Sequence, residues 1–182
     1  MIDVFLRLYP QNELRRLFGL TVMARLLHLE GINPRPVTPK LVGEPFHINS
    51  KKYPEQHANS EIYCVMDDDQ LPLRDDFFEL GAAKLSAHPE YGMLAGFPLE
   101  YERSGEPYAH RIEQVVEAHS IGCPYFVRKG TLNHFPNSKI QFYDGDLSKV
   151  VTEQGLKTGF VRHAIYNHLG YRFSQVEQTI AK

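Results

Sequence analysis

The chain has 182 residues, a length that fits one domain over residues 1–182 and excludes two independent catalytic domains. Hydrophobic residues make up 42% and charged residues 23%, which is typical of a folded globular protein and excludes disorder and fibrous repeats. The 20 basic and 22 acidic residues give a net charge of -2, so no general attraction to nucleic acid or anionic lipid is expected. No stretch has the roughly 18 apolar residues of a transmembrane segment, and no secretory leader is recognised. We therefore expect a cytoplasmic protein.

Hydrophobic periodicity predicts the first elements. Residues 2–9 are apolar and β-branched and predict a strand. Residues 12–31 have helical spacing and predict a helix that Asn12 caps and Gly31 ends, with leucines buried over a broad surface. Residues 33–54 hold five prolines and predict one irregular strand and a loop.

A continuous apolar run at residues 61–66 predicts a strand buried on both faces of a parallel sheet. Strand and helix patterns then alternate to the end of the chain. This alternation predicts an α/β fold, a compact three-layer α/β/α sandwich with a mainly parallel sheet. The remaining predicted elements are a helix at 72–87, a strand at 91–97, a helix at 111–119, a strand at 124–127, a helix from about 146 to Gly155 and a strand at 160–166.

Three consecutive aspartates follow the buried strand. Open α/β sheets bind ligands at the carboxyl ends of their strands, and carboxylates crowded there repel one another unless a cation is present. In an extended turn Asp67 and Asp69 project to one side and Asp68 to the other, so Asp67 and Asp69 are the candidate ligands of a divalent ion. The alternative is that they stabilise the start of the next helix, a role that Asp75 and Asp76 already fill.

Polar residues also lie at the start of the late predicted helix and at the end of the last predicted strand. Asp146 is placed to cap the late helix, whereas capping does not explain Asp144. His168 follows the last apolar strand and is expected to face the acidic turn, although a lone histidine is more often structural. An imidazole beside carboxylates suits manganese better than calcium.

Several segments together resemble a known family. The run EIYCVMDDDQLP, followed by a helix and HPEYGMLAGFP, resembles the strand and DxD segment of GT-A fold glycosyltransferases, most like the family 2 type. The runs IGCPYFVRKGTL, FYDGDLSKVVTEQGLKTGFV and AIYNHLG resemble, in the same order, that family's acceptor-side strand, its "EDxxL" helix and its strand-terminal histidine. The opening VFLRLYPQNELRRLFGL resembles its first unit, so the resemblance covers most of the chain.

The resemblance implies a nucleotide-diphospho-sugar transferase-like fold and a metal-dependent glycosyltransferase of the hexosyltransferase type. Such an enzyme moves a sugar from a nucleoside-diphosphate sugar, here expected to be a UDP-sugar, to an acceptor hydroxyl with inversion. Asp67 and Asp69 match the DxD pair, Asp69 as the direct ligand and Asp67 nearer the ribose or sugar. His168 matches the histidine that completes the shell of Mn²⁺ or Mg²⁺, and Asp144 matches the catalytic base.

Arg7 and Tyr9 end the first strand at the same edge and, with Asp68, are candidate nucleotide contacts, although packing explains Arg7 and Tyr9 equally well. The acidic turn that usually follows the family's second strand is missing from residues 36–45, so the nucleotide base stays open. The acceptor is also open: a glycan, a lipid-linked sugar, a protein or a modified nucleic acid. The polar segment 101–111 is the candidate acceptor loop.

Two other function classes compete with glycosyl transfer. An apolar strand followed by Asp67-x-Asp69 also resembles the haloacid dehalogenase-like phosphotransferases, in which Asp67 is the nucleophile and Asp69 the acid and base. A phosphorylated Asp67 would identify that class. A catalytically inactive sugar-nucleotide-binding module is the third class, and binding without turnover would identify it.

Overall fold

The computed structural model describes residues 1–9, 13–43, 45–99, 114–133 and 144–169. Both strands and helices occur along these ranges, as the α/β prediction requires. The strands are β1 (Ile2–Arg7), β2 (Ile32–Val37), β3 (Ile62–Asp67), β4 (Gln70–Pro72), β5 (Tyr91–Pro98), β6 (Val115–Glu117), β7 (Tyr125–Arg128) and β8 (Lys157–His168). The helices are α1 (Glu13–Leu27), α2 (Pro39–Val42), α3 (Phe46–His57), α4 (Phe77–Ala87) and α5 (Asp144–Thr152).

All the described strands join one sheet in the order β2-β1-β3-β7-β5-β8-β4, with β6 paired to β8. The five longer strands, β1, β2, β3, β5 and β8, run in one direction. The three strands of three or four residues, β4, β6 and β7, run the opposite way. The prediction of a mainly parallel sheet is therefore confirmed.

Helices cover both faces of the sheet. On one face the core includes Phe46 of α3 and Leu147 of α5, and on the other it includes Val22 of α1 and Phe77 of α4. Successive residues of β3 alternate between the two cores: Tyr63 and Val65 belong to the first, Cys64 and Met66 to the second. Because a strand with both faces covered has no solvent side, its sequence is apolar without a break. The three-layer sandwich is confirmed.

The prediction of a loop after β2 is wrong, since Pro39–Val42 and Phe46–His57 form helices α2 and α3. Thr38 caps α2 by accepting a hydrogen bond from the backbone of Leu41. The buried side of α3 has helical spacing but carries Phe46, Ser50 and Pro54 in place of a leucine stripe. Hydrophobic periodicity does not detect such a face. The prolines of β2 are tolerated because β2 is an edge strand.

Two other expectations from periodicity fail. The helix predicted at 111–119 is wrong where the chain is described, because Val115–Glu117 is strand β6, paired antiparallel with β8. The expected broad burial of α1 is also wrong: Val22 and Leu26 are buried, but Leu20 is 62% exposed and Leu27 is 70% exposed. One face of α1 packs on the sheet and the opposite face does not.

The amino ends of β1 and β3 are joined through the buried carboxylate of Asp3. It accepts hydrogen bonds from the backbone N–H of Asn59 at 2.6 Å and of Ser60 at 3.0 Å, and from the side chain of Asn33 at 2.7 Å. Burial by itself opposes ionisation, but these bonds and the charge of Arg35 outweigh it and lower the pKa of Asp3. The ionised form is thus the one that stabilises the fold.

We expect Asp3→Asn to lower the free energy of unfolding by about 1–3 kcal/mol at pH 7, since an amide oxygen is a weaker acceptor for buried N–H groups. The pKa of Asp3 is lower in the folded than in the unfolded chain, where it is about 3.9. The stabilisation is therefore complete above that value and is lost as the pH falls through the folded pKa. Urea unfolding of both proteins between pH 3 and 7 measures this. A difference that does not shrink in acid would contradict the assignment.

Candidate functional site

The carboxyl ends of β1, β3 and β8 bring the predicted polar residues to one edge of the sheet. Asp67 is the last residue of β3, and Asp68 and Asp69 form a turn into β4. β4 pairs antiparallel with β8, so that Gln70 lies opposite His168. This pairing brings His168 Nε2 to 3.3 Å from Asp69 Oδ2, although 99 positions separate the two residues.

The carboxylate of Asp67 pairs with the buried side chain of Arg7. The Nε of Arg7 donates to Asp67 Oδ1 at 2.8 Å, and its Nη2 donates to the sulfur of Cys123 at 2.9 Å. The Arg7 side chain is 2% exposed, and its Nη1 has no hydrogen-bond partner within the described residues. Burial disfavours the charge, but Asp67 and neighbouring polar groups outweigh burial and raise the pKa of Arg7 well above its ordinary range. A permanent positive charge therefore lies beside Asp67.

Asp68 ties the turn to the chain after β1 and to α1. Its Oδ2 accepts from the backbone N–H of Tyr9 at 2.7 Å, and its Oδ1 accepts from Arg15 Nε at 2.7 Å. The guanidinium of Arg15 also lies over the ring of Tyr9, 4.8 Å from its centroid. Burial raises the pKa of Asp68 in spite of these bonds. Asp68 is thus engaged by α1 and the end of the first strand.

Asp69 lies between Arg15 and His168. Arg15 Nη2 is 3.3 Å from the same Asp69 Oδ2 that faces His168. Asp69 is 4% exposed, and among the described residues nothing donates to its buried Oδ1. Burial favours the protonated form, but His168 and Arg15 together lower the pKa of Asp69 below its ordinary value. The result is an ionised, buried carboxylate with one oxygen that has no partner among the described residues.

Gln70 holds the acidic turn in shape. Its side-chain oxygen accepts from the backbone N–H of Asp67 at 2.8 Å, and its nitrogen donates to the carbonyl of Cys123 at 2.6 Å. Gln70 is itself buried. The turn is therefore fixed to β3 on one side and to the segment before β7 on the other.

The geometry of the turn differs from the extended turn expected from the sequence. Arg15 contacts Asp68 and Asp69 together, whereas Asp67 pairs with Arg7. Residues 68 and 69 are a tight turn, so the alternation of side chains along a strand does not apply to them.

The acidic residues of the late helix are described in part. Asp144 is the first residue of α5, and its side chain lies outside the part of the chain that the structure describes. Asp146 is the third residue of α5 and therefore does not occupy the cap position expected from the sequence. The candidate acceptor loop at 101–111 also lies outside the described residues.

A cavity of about 730 Å³ opens beside the acidic turn. Its wall includes Tyr9 after β1, Thr38 after β2 and Asp68 after β3, and α1 closes it with Gly19 and Met23. Its volume lies within the range of roughly 300–1,000 Å³ that is usual for small-molecule sites. The cavity thus lies where the parallel strands end, as expected of a ligand site in an α/β sheet.

The donor set at Asp69 suits a divalent ion. No group of three or more histidine, cysteine, aspartate or glutamate side chains forms a ready metal site within the described ranges. The buried Oδ1 of Asp69, which has no partner among the described residues, and the imidazole of His168 nevertheless offer one oxygen and one nitrogen ligand from the acidic turn and the end of β8. A carboxylate oxygen and an imidazole nitrogen are donors that a transition ion such as manganese accepts.

Arg15 and Gln70 contact the acidic turn, but they were not identified as site residues from the sequence. A signal for Arg15 was present, because Arg15 and Arg16 lie in the first turn of a helix, where the macrodipole disfavours positive charge. Such a local conflict indicates a partner elsewhere in the fold. Gln70 carries no comparable signal, since its two partners come from separate parts of the chain.

Several solved structures have a similar fold. TarS 1–349 of S. aureus superposes with a TM-score of 0.63 at 11% identity, over 91% of this chain and 59% of that fragment. The same TarS fragment with UDP-GlcNAc gives a TM-score of 0.61 at 12% identity, over 91% of this chain and 57% of that one. A Drosophila β-1,4-galactosyltransferase 7 mutant, in complex with manganese, UDP-Gal and xylobiose, gives a TM-score of 0.57 at 14% identity. The match covers 95% of this chain and 72% of that one.

A nucleotidyltransferase shares the fold as well. CMP:2-keto-3-deoxy-manno-octonic acid synthetase complexed with CTP matches with a TM-score of 0.58 at 10% identity, over 99% of this chain and 98% of that one. No protein-family model and no curated protein matches the sequence. The chain has the GT-A-like fold of nucleotide-sugar transferases.

The chain spans less than two thirds of the TarS fragment that it matches. Among the helices that the structure describes, none combines the length and the apolar character needed to cross a bilayer.

Proposed function

We propose that this protein is a metal-dependent glycosyltransferase that moves a hexose from a UDP-sugar to an acceptor hydroxyl with inversion. The observation that carries the proposal is the meeting of Asp69 and His168 at the end of the sheet, 3.3 Å apart. An acidic turn and a strand-terminal histidine, distant in sequence, converge beside a cavity of ligand size in a GT-A-like fold. The solved relatives with UDP-GlcNAc and with UDP-Gal and manganese support the donor class.

The donor is assigned to the cavity and its acidic border. The nucleoside enters the largely apolar space between α1 and the ends of β1 and β2, beside Tyr9 and Thr38. Asp69 and His168 would hold the divalent ion, which would supply positive charge for a leaving diphosphate. Arg7 acts through Asp67, whose Oδ1 it binds at 2.8 Å, and so positions that carboxylate for contact with the ribose or sugar.

Asp144 is proposed as the base that accepts the proton of the acceptor hydroxyl. It begins α5, whose Leu147 and Val151 pack in the core and anchor the helix. A carboxylate at the start of a firmly packed helix has a fixed backbone position, as proton transfer requires. With a base on the acceptor side and the diphosphate leaving on the other, displacement occurs in one step with inversion.

The donor assignment is tested by calorimetry with UDP, UDP-glucose, UDP-galactose and UDP-GlcNAc, each with and without Mn²⁺. We expect at least one UDP-sugar to bind only when Mn²⁺ is present and to raise the unfolding temperature, because a ligand that binds the native state stabilises it. CMP and GDP-mannose serve as control ligands. Binding of no nucleotide sugar under any condition would overturn the proposed function.

Nucleotidyl transfer is the second candidate, because the match to the CTP-bound synthetase covers nearly the whole of both chains. In that reaction a sugar hydroxyl attacks the α-phosphorus of a nucleoside triphosphate and pyrophosphate leaves. Incubation with CTP or UTP, Mn²⁺ or Mg²⁺ and a set of sugars and sugar phosphates, followed by a pyrophosphate assay, separates the two. Release of pyrophosphate with no transfer from UDP-sugars would favour the second candidate.

The phosphotransferase alternative requires a nucleophilic Asp67. Its Oδ1 accepts a hydrogen bond from Arg7 Nε at 2.8 Å, so one of the two carboxylate oxygens is already engaged. Beryllium fluoride forms a stable analogue of the acyl phosphate on such enzymes. Mass spectrometry of the protein during turnover tests directly whether an aspartate is phosphorylated. A phosphorylated Asp67 would replace glycosyl transfer with this alternative.

A further inference from the structure

Arg15 occupies the position where a cation is expected. Its guanidinium spans Asp68 and Asp69, with Nε at 2.7 Å from Asp68 Oδ1 and Nη2 at 3.3 Å from Asp69 Oδ2. The side chain is 29% exposed, while the carboxylates of Asp68 and Asp69 are almost fully buried. Arg15 therefore reaches from the border of the cavity onto the acidic turn.

The charges at this turn are almost balanced without a metal. Asp67, Asp68 and Asp69 carry three negative charges, and Arg7 and Arg15 supply two positive charges by direct contact. Arg7 is fully buried behind Asp67 and cannot leave without losing its partners. Arg15 is the partly exposed cation of the two, and it contacts the carboxylate whose other oxygen has no partner within the described ranges.

The two contacts of Arg15 differ in length. The Asp68 contact is a short, charge-assisted hydrogen bond, whereas the Asp69 contact is 0.6 Å longer. A small rotation of the guanidinium would therefore break the contact with Asp69 and preserve the hydrogen bond to Asp68. Two positive groups that share one carboxylate repel each other, so a divalent ion at Asp69 favours this rotation.

We propose that Arg15 is an internal counter-cation that competes with the divalent ion for Asp69 and must release Asp69 when the ion binds. The inference rests on the proposed function, which places the ion at Asp69 and His168. Arg15 thereby weakens binding of the metal alone. After its release from Asp69, the guanidinium faces the cavity border, where a diphosphate offers it new oxygen acceptors.

The test measures Mn²⁺ alone, without nucleotide, by calorimetry and by the electron paramagnetic resonance signal of free Mn²⁺. Arg15→Gln removes the competing charge, and we expect its affinity for Mn²⁺ to rise at least about tenfold. Arg16→Gln is the matched control, because it makes the same charge change on the next residue of α1, which also lines the cavity. Its affinity should change less than about twofold, since Arg16 contacts none of the three aspartates within the described part of the chain.

Arg15→Lys keeps the positive charge on a shorter side chain, and its affinity for Mn²⁺ should lie between those of the wild type and Arg15→Gln. This variant also provides the test if Arg15→Gln does not fold. Equal Mn²⁺ affinity in wild type and both Arg15 variants would overturn the inference, and so would weaker binding in the variants. Absence of Mn²⁺ binding in every protein would overturn it too. The proposed function fails separately, when Mn²⁺ binds but no nucleotide sugar does.

Discussion

Asp144→Asn is expected to lower the rate of sugar transfer by about 10²–10⁴-fold, the usual cost of losing a general base. Asparagine keeps the size of the side chain but cannot accept the proton of the acceptor hydroxyl. The dissociation constant of the UDP-sugar should stay close to that of the wild type, because the base acts on the acceptor and not on the donor. Single-turnover transfer and calorimetry measure the two quantities.

Asp146→Asn is the matched control for this prediction. It makes the same chemical change two residues further along α5, in the first turn, where a negative charge favours the helix dipole. We expect a small loss of stability, about 0.3–1 kcal/mol, and a small loss of activity. A large rate loss in Asp146→Asn with full activity in Asp144→Asn would move the base to Asp146. Full activity in both variants would contradict the mechanism.

Asp69→Asn is expected to abolish the metal dependence of nucleotide binding. The change keeps the shape of the side chain but removes the charge that opposes Arg15 and attracts the ion. In the presence of Mn²⁺ the affinity for UDP should fall on the order of 100-fold, to the level that the wild type shows without metal. Calorimetry of both proteins with and without Mn²⁺ measures the effect.

Asp75→Asn is the control for Asp69→Asn. Asp75 follows the acidic turn closely in sequence, but its side chain is 83% exposed and pairs with Arg25 on the surface. Its loss should leave Mn²⁺-dependent binding unchanged, which separates a local effect from a change in net charge. Metal-dependent binding of wild-type strength in Asp69→Asn would remove Asp69 from the metal site.

Elements whose local pattern agrees with their burial were predictable from the sequence. The run that ends at Asp67 is apolar because β3 is covered on both faces, so its composition alone indicates a central strand. Helix α3 was not predictable in the same way. Its buried side carries Ser50 and Pro54, which do not form a hydrophobic stripe. Strand β6 owes its conformation to pairing with β8, which local periodicity does not report.

In the candidate site, too, some features follow from the local sequence and others depend on tertiary contacts. The sequence by itself determined the place of Asp67, Asp68 and Asp69 at one strand end and the place of His168 at another, because strand ends are marked by local changes in polarity. Only the tertiary structure decided that β4 folds back on β8 to join His168 to Asp69, and that Arg15 of α1 contacts Asp68 and Asp69. Those contacts form between segments tens of residues apart, and their geometry depends on sheet register and helix packing, which no local pattern encodes.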